Sequence, residues 1–309
     1  MKRKKSLGIV VVLIGMAAVF VGISMSSSMS NGAGTNSQTS TRMPLGELNA
    51  TIDNYTGRVL AATINIEGTP ETMYFPVDKA LFNLNYTVDS QGNALTMSMA
   101  LKPGLRDFYH QVGYDRPKSS TVVVYPVFTQ AAYSKNGFYY FYYKQCDSSC
   151  LTVKLPDSIT PIYQTGGRAF MALDLLNYSV ITDADIDQNP EVLKNYDKVI
   201  VLHNEYVTQR EFDAITSHPN VLYLFPNALF AKITTDYTNK TITLIRGHGY
   251  PDSTVQNGFG WKFDNSQYEY DVKCNNWQFY KIDNGTMVNC YPSFRMLYDQ
   301  SFLQAIKDS

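Results

Sequence analysis

Tyr196-Asp-Lys-Val-Ile-Val-Leu-His-Asn-Glu-Tyr206 leads into Thr208-Gln-Arg-Glu211 and, past His218-Pro219, reaches Asn220-Val-Leu-Tyr-Leu-Phe225. Lys198 to His203 is a nearly continuous apolar run closed by a polar cluster, as expected of a strand buried on both faces of a parallel sheet. Thr208 and Glu211 have capping-box spacing ahead of Phe212 and Ile215, so a helix starts there and stops at His218-Pro219. Residues 220–225 are the next strand. Strand, helix and strand at such short intervals predict a doubly wound, mostly parallel α/β sheet with right-handed crossovers.

The same pattern extends in both directions. Thr121-Val-Val-Val-Tyr-Pro-Val-Phe128 reads as a first buried strand and Leu151 to Leu155 as a shorter one. Phe170, Leu173 and Leu176 have helical spacing and precede a strand at Tyr178 to Thr182, while Asn189-Pro190 opens a further helix. Leu229 to Thr235 and Thr241 to Ile245 flank Asp236 to Lys240 as a hairpin. Residues 259–292 are aromatic and strand-like, with Cys274 and Cys290 placed to clamp a hairpin around Trp277 and Phe279, and Leu297 to Ile306 reads as a short helix. Upstream, Val59 to Ile66 and Ala94 to Met99 alternate between Gly, Asn and Pro breaks, which predicts a small β-rich subdomain. The expected divisions are an anchor at 1–25, a linker at 26–44, a β-rich part at 45–119, the α/β domain at 120–260, and a disulfide-clamped hairpin with a helix at 261–309.

The anchor is Ser6 to Met25, uncharged and preceded by Lys2, Arg3, Lys4 and Lys5. It is about the length that crosses a bilayer, and the positive-inside rule places the N-terminus in the cytoplasm and the folded part outside. A cleaved secretory signal is the other reading, although the apolar stretch is longer than usual and no A-x-A follows. The Ser, Asn, Gly and Thr of residues 26–44 make a tether. Setting aside the four leading cations, 22 basic residues face 27 acidic ones, which excludes an electrostatic footprint for nucleic acid. Cys146 with Cys150 and Cys274 with Cys290 read as two local disulfides of an exported domain, and a four-thiolate zinc site fits the wide second spacing poorly. Sequons at Asn49, Asn54, Asn85, Asn177, Asn239 and Asn284 are glycosylation candidates consistent with export.

Open α/β sheets bind ligands where strands end. Three polar clusters map there: Thr129-Gln-Ala-Ala-Tyr133, His203-Asn-Glu-Tyr206 and Pro226-Asn227. The G-x-S-x-G elbow, a cysteine after a strand and H-E-x-x-H are all missing, so neither an ordinary α/β hydrolase nor an active cysteine amidotransferase is expected. Arg246-Gly-His-Gly249 lacks the order of a phosphate loop and reads as the end of a hairpin strand, from which His248 could approach the site.

The order Thr129 to Tyr133, Val180 to Ile186, Tyr196 to Tyr206, Leu222 to Asn227 and Ile242 to Arg246 resembles the C-terminal domain of the N,N-dimethylformamidase large subunit over about residues 120–260. That resemblance implies a glutamine-amidotransferase-like fold without the cysteine nucleophile. It also implies a mononuclear iron held by two tyrosines and a glutamate beside a histidine and an asparagine. Carried onto this chain, Tyr133 and Glu205 are metal ligands, with His203, Glu205 and Asn227 in the catalytic roles. The family's second iron-binding tyrosine lies upstream, where Tyr109 and Tyr114 stand outside its motif, and Glu269 is the candidate for its late glutamate. Phenolate and carboxylate are hard donors suited to a ferric Lewis acid. Two functions follow. An incomplete ligand set favours a membrane-anchored, non-catalytic surface module that binds a small-molecule ligand or a partner. The alternative is an iron-dependent amidohydrolase of small C–N substrates outside the cytoplasm.

Overall fold

The computed structural model describes residues 49–53, 59–66, 69–88, 94–115, 120–160 and 166–309. The expected anchor at Ser6 to Met25, the linker at 26–44 and the Asn54 sequon lie outside these residues. No helix among the described residues is long and apolar enough to cross a membrane.

The N-terminal part forms β1 (Asn49–Asp53), β2 (Val59–Ile66) and β3 (Thr69–Pro76) as one antiparallel sheet. It continues with the β4 (Phe82–Val88) and β5 (Ala94–Leu101) hairpin and with α1 (Arg106–Val112). From there the chain runs β6 (Thr121–Tyr125), α2 (Val127–Ala132), α3 (Phe138–Tyr142), β7 (Thr152–Lys154), α4 (Gly167–Leu175), β8 (Ser179–Thr182) and α5 (Asp183–Gln188). Then come β9 (Lys198–Val201), β10 (Tyr206–Val207), α6 (Gln209–Ser217), β11 (Val221–Tyr223), β12 (Ala231–Asp236) and β13 (Thr241–Arg246). The chain closes with β14 (Phe279–Ile282), β15 (Gly285–Val288), α7 (Arg295–Tyr298) and α8 (Gln300–Asp308).

The central sheet has the order β8-β6-β9-β11-β15-β14, parallel from β8 through β15 and closed by antiparallel β14. Val122, Val123 and Val124 of β6 and Val199, Ile200 and Val201 of β9 are all fully buried. Each such side chain contributes about 1.5–3 kcal/mol by leaving water. Alternate residues face opposite layers. Val123 and Ile200 pack with Ala169 and Leu173 of α4 and with Leu303 of α8. Val122, Val124, Val199 and Val201 pack with Ile186 of α5 and Ile215 of α6. The sheet is therefore mixed with helices on both faces, as the uninterrupted apolar runs predicted. Numbered from β6, its parallel strands follow the order 2-1-3-4-5, which puts the reversal of direction between β6 and β9.

A second sheet, β10-β12-β13-β7, carries the β12–β13 hairpin and packs against α2 and α3. Leu151 to Leu155 thus feeds this sheet through β7 and lies outside the parallel one. The first strand stops at Tyr125, short of Phe128. Pro126 has no N–H to extend a ladder, and α2 begins at once with the Phe128 N–H donating to the Asp183 carboxylate at 2.9 Å. The helix expected from Asn189-Pro190 is a single 3-10 stretch, Pro190 to Asn195, between non-helical Asn189 and Tyr196. Thr208 caps α6 by accepting from the Glu211 N–H at 3.1 Å, but the Glu211 carboxylate turns inward rather than back to the cap. The reciprocal box forms instead at Thr182 and Asp185 on α5.

Both disulfides are formed, Cys146–Cys150 after α3 and Cys274–Cys290 around the β14–β15 hairpin. No described cysteine is free for zinc. That hairpin joins the central sheet through β15 and β11, so the parallel sheet draws a strand from beyond residue 260.

Candidate functional site

The chain leaves the central sheet at the end of β9 and enters the second sheet at β10. Between them lie Leu202, His203, Asn204 and Glu205, all fully buried. Thr129, on α2 just after β6, fixes this passage. Its Oγ1 accepts from the Glu205 N–H at 3.0 Å and the Tyr206 N–H at 3.2 Å. On the other side the Glu205 carbonyl accepts from the N–H groups of Phe230 at 3.0 Å and Ala231 at 2.8 Å. With its backbone held from both sides, the Glu205 side chain is confined to the reversal point between β6 and β9, the place where open α/β sheets gather ligands.

Five polar side chains surround that carboxylate. The Tyr133 hydroxyl donates to Oε2 at 2.8 Å. The Tyr139 hydroxyl lies 2.8 Å from the Tyr133 oxygen and 3.2 Å from Oε1. Asn227 donates from Nδ2 to Oε1 at 3.4 Å. His248 contacts Oε1 through Nε2, and His203 Nε2 stands 3.9 Å from Oε2. The four residues singled out in the sequence, Tyr133, His203, Glu205 and Asn227, are thus brought together from three segments: the end of α2, the passage between β9 and β10, and the turn after β11.

Local structure explains each placement. Tyr133 is the C-cap of α2. Gly137 then lets the chain fold back closely into α3, since a Cβ there would lie 2.3 Å from the Ala132 carbonyl. This tight return sets the Tyr133 and Tyr139 rings 4.4 Å apart. Asn227 follows β11 in the left-handed region at φ 64°, which Asn tolerates better than most residues. Its N–H donates to Asn265 Oδ1 at 3.2 Å, so the 265–269 turn holds Asn227. Glu269 is buried in that turn, its N–H bonded to the Ser266 carbonyl. The His203 ring packs edge-on against Tyr291 at 5.5 Å and beside Phe225 at 6.2 Å.

Electrostatics keep Glu205 ionised. Burial pushes its carboxyl up, but the charge and hydrogen bond of His248, the charge of His203 and the Tyr133 phenol outweigh it and hold the group below the ordinary glutamate value. The neighbouring Tyr206 phenol is driven well above its usual value by burial and then by the Glu205 charge. Tyr142, 3.2 Å from the Tyr206 oxygen, is also raised, chiefly by burial.

Tyr139 and Thr129 were not singled out individually in the sequence. Tyr139 sits in Phe138-Tyr-Tyr-Phe-Tyr-Tyr143, where periodicity cannot say which phenol faces inward. Tyr109, one of the two tyrosines considered upstream, is committed elsewhere: its hydroxyl donates to the Leu81 carbonyl at 2.6 Å and accepts from the Lys102 N–H at 2.9 Å. Tyr114 lies on the surface at 39% exposure. The phenol that joins Tyr133 at Glu205 therefore comes from downstream.

Among the described residues no group of three or more His, Cys, Asp or Glu side chains is gathered to hold a metal. At Glu205 the additional oxygens are phenols. Two phenols and a carboxylate are a hard, potentially trianionic set matched to ferric iron. Their oxygens lie 2.8–3.2 Å apart, close to the roughly 2.8 Å edge of an octahedral shell with bonds of about 2.0 Å. The same spacing is satisfied by hydrogen bonds among protonated phenols. Compared with protein-family models and with curated proteins, the chain matches none.

Proposed function

We propose that this protein is a metal-dependent amidohydrolase of small C–N substrates, with Tyr133, Tyr139 and Glu205 holding a ferric ion. The observation that carries this reading is the convergence of two phenols on one fully buried, ionised carboxylate at the sheet's reversal point. In the same reading, the domain is an amidotransferase-like relative of the dimethylformamidase large subunit. Ser6 to Met25 tethers it on the outer face of a membrane, which the two disulfides support.

A ferric ion bound there would supply Lewis acidity toward an amide carbonyl or a water molecule. The chain's own residues provide the rest. Asn227 is 1% exposed and its Oδ1 has no hydrogen-bond partner among the described groups, so it offers a buried acceptor for a substrate N–H. Asn204, between His203 and Glu205, is fully buried with both amide atoms likewise unpaired. His203, clamped by Tyr291 and Phe225, fixes one polar corner of the site. The rings of Tyr133, Tyr139, Phe225 and Tyr291 pack around these polar groups and shield them from bulk water.

A non-catalytic binding module is the second reading. One observation favours it: Tyr133, Asn227 and His248 already satisfy the Glu205 carboxylate without an ion. Full-length protein purified without chelator separates the two. The enzyme reading expects about one iron per chain and hydrolysis of formamide-type substrates, both lost in Glu205→Gln. Protein without iron, inert toward such amides and unchanged by Glu205→Gln, would leave only the binding module.

A further inference from the structure

We infer that His248 is a fourth protein donor to the ion, completing a set of two phenolates, one carboxylate and one imidazole. The inference rests on the metal reading above and extends it to a residue to which the resemblance gives no role. Its Nε2 lies against Oε1 of Glu205, the oxygen that Tyr139 also approaches at 3.2 Å. The imidazole thus borders the same small volume as the two phenols. Charge argues for the same role. Two phenolates and a carboxylate already neutralise a trivalent cation, so the next donor should be neutral, and imidazole is the neutral side chain that binds iron well.

The segment that presents His248 is built for one position. Gly247, at φ 127°, packs so closely on β12 that a Cβ would lie 2.8 Å from the Ala231 Cβ. The Gly247 and Tyr250 N–H groups each donate to the other's carbonyl at 2.9 Å. His248 donates to the Gln256 carbonyl at 2.9 Å, and Gly249 to that of Val255 at 2.7 Å. His248 itself is held at φ 52°, an uncommon conformation for a side-chain-bearing residue and one that persists where the surroundings determine it. Phe230, Tyr142 and Tyr206 enclose the ring, with centroids at 4.6, 5.2 and 5.5 Å. The side chain is 19% exposed while Glu205 is sealed. A loop pinned by backbone bonds and an imidazole wedged among three rings deliver one nitrogen to one carboxylate. Preorganisation of this kind is what a ligand needs.

The test loads the full chain with ferric nitrilotriacetate and follows the visible phenolate-to-iron charge-transfer band. It also measures retention against a chelator and electron spin-echo modulation from bound nitrogen. Wild type should take up one ferric ion, show the band and show imidazole modulation. His248→Phe, which keeps an aromatic ring in the pocket, should shift the band, lose the modulation and release iron at least tenfold more readily. Coloured wild type with a His248→Phe band, modulation and retention unchanged would overturn the role of His248 while leaving the Tyr133, Tyr139 and Glu205 site standing. Colourless wild type would overturn that site, and this inference with it. Should His248→Phe fail to fold, coloured wild type without nitrogen modulation is by itself enough to refute the proposal.

Discussion

Replacing Thr129 by Val tests whether one hydroxyl sets the passage between the two sheets. The substitution keeps the shape of the side chain and removes the acceptor of two hydrogen bonds, from the Glu205 N–H at 3.0 Å and the Tyr206 N–H at 3.2 Å. Thr129, Glu205 and Tyr206 are all fully buried, so water cannot replace the lost acceptor. A buried N–H left without a partner costs about 1–3 kcal/mol, so two of them cost about 2–6 kcal/mol. The added methyl returns at most about 1 kcal/mol by burial. Urea unfolding of Thr129→Val should therefore show a loss of about 1–5 kcal/mol with little change in the denaturant slope. Iron retention should fall as well, because the Glu205 backbone is no longer held. A loss below about 1 kcal/mol would show that the ladder from Phe230 and Ala231 positions Glu205 unaided, and that the hydroxyl is incidental.

Three further outcomes follow from the described geometry. Glu211 is fully buried with neither carboxylate oxygen bonded, and burial, then the Asp183 and Asp187 charges, push its pKa well up. A carboxyl raised on folding favours the native state fully below its unfolded value near 4.3, and that contribution is lost as pH rises toward the folded value. Glu211→Gln should flatten the fall in melting temperature above about pH 5, and a pH profile parallel to wild type would contradict this. Replacing Cys274 and Cys290 together by Ser should cost about 3 kcal/mol, as expected for a loop of this size. The Cys146 and Cys150 pair closes only four residues and should cost less, with thermal melts of the two double variants giving the order. Asn227→Ala should be about 1–2 kcal/mol less stable than Asn227→Gly, because only glycine relaxes at φ 64°. Equal stabilities would mean that the left-handed turn is not strained.

The parallel sheet was legible because its strands are uninterrupted apolar runs. Val122 to Val124 and Val199 to Val201 are buried on both faces, and only a strand between two helical layers tolerates that pattern. Tyr133, His203, Glu205 and Asn227 were legible for a related reason. Each follows the end of a strand or of the helix after one, and strand ends at a reversal of sheet order converge. The two disulfides could be read from the local pairing of the cysteines taken together with the expected export of the domain.

Tertiary structure decided what local pattern leaves degenerate. Phe138 to Tyr143 is aromatic throughout, so the inward turn of Tyr139 depends on the close return at Gly137 and on the acceptor that Glu205 offers. His248 lies 43 residues from Glu205, and β13 together with the hydrogen bonds of the following loop carries it there. Leu151 to Leu155 looks like any short apolar strand, and the free edge of β13 captured it for the second sheet. Sequence by itself determined which segments are buried and where strands end, since hydrophobic burial is written residue by residue. That Tyr139 and His248 also reach Glu205 was set only in the folded chain, because polar contacts depend on distances of about 3–4 Å between segments that periodicity treats independently.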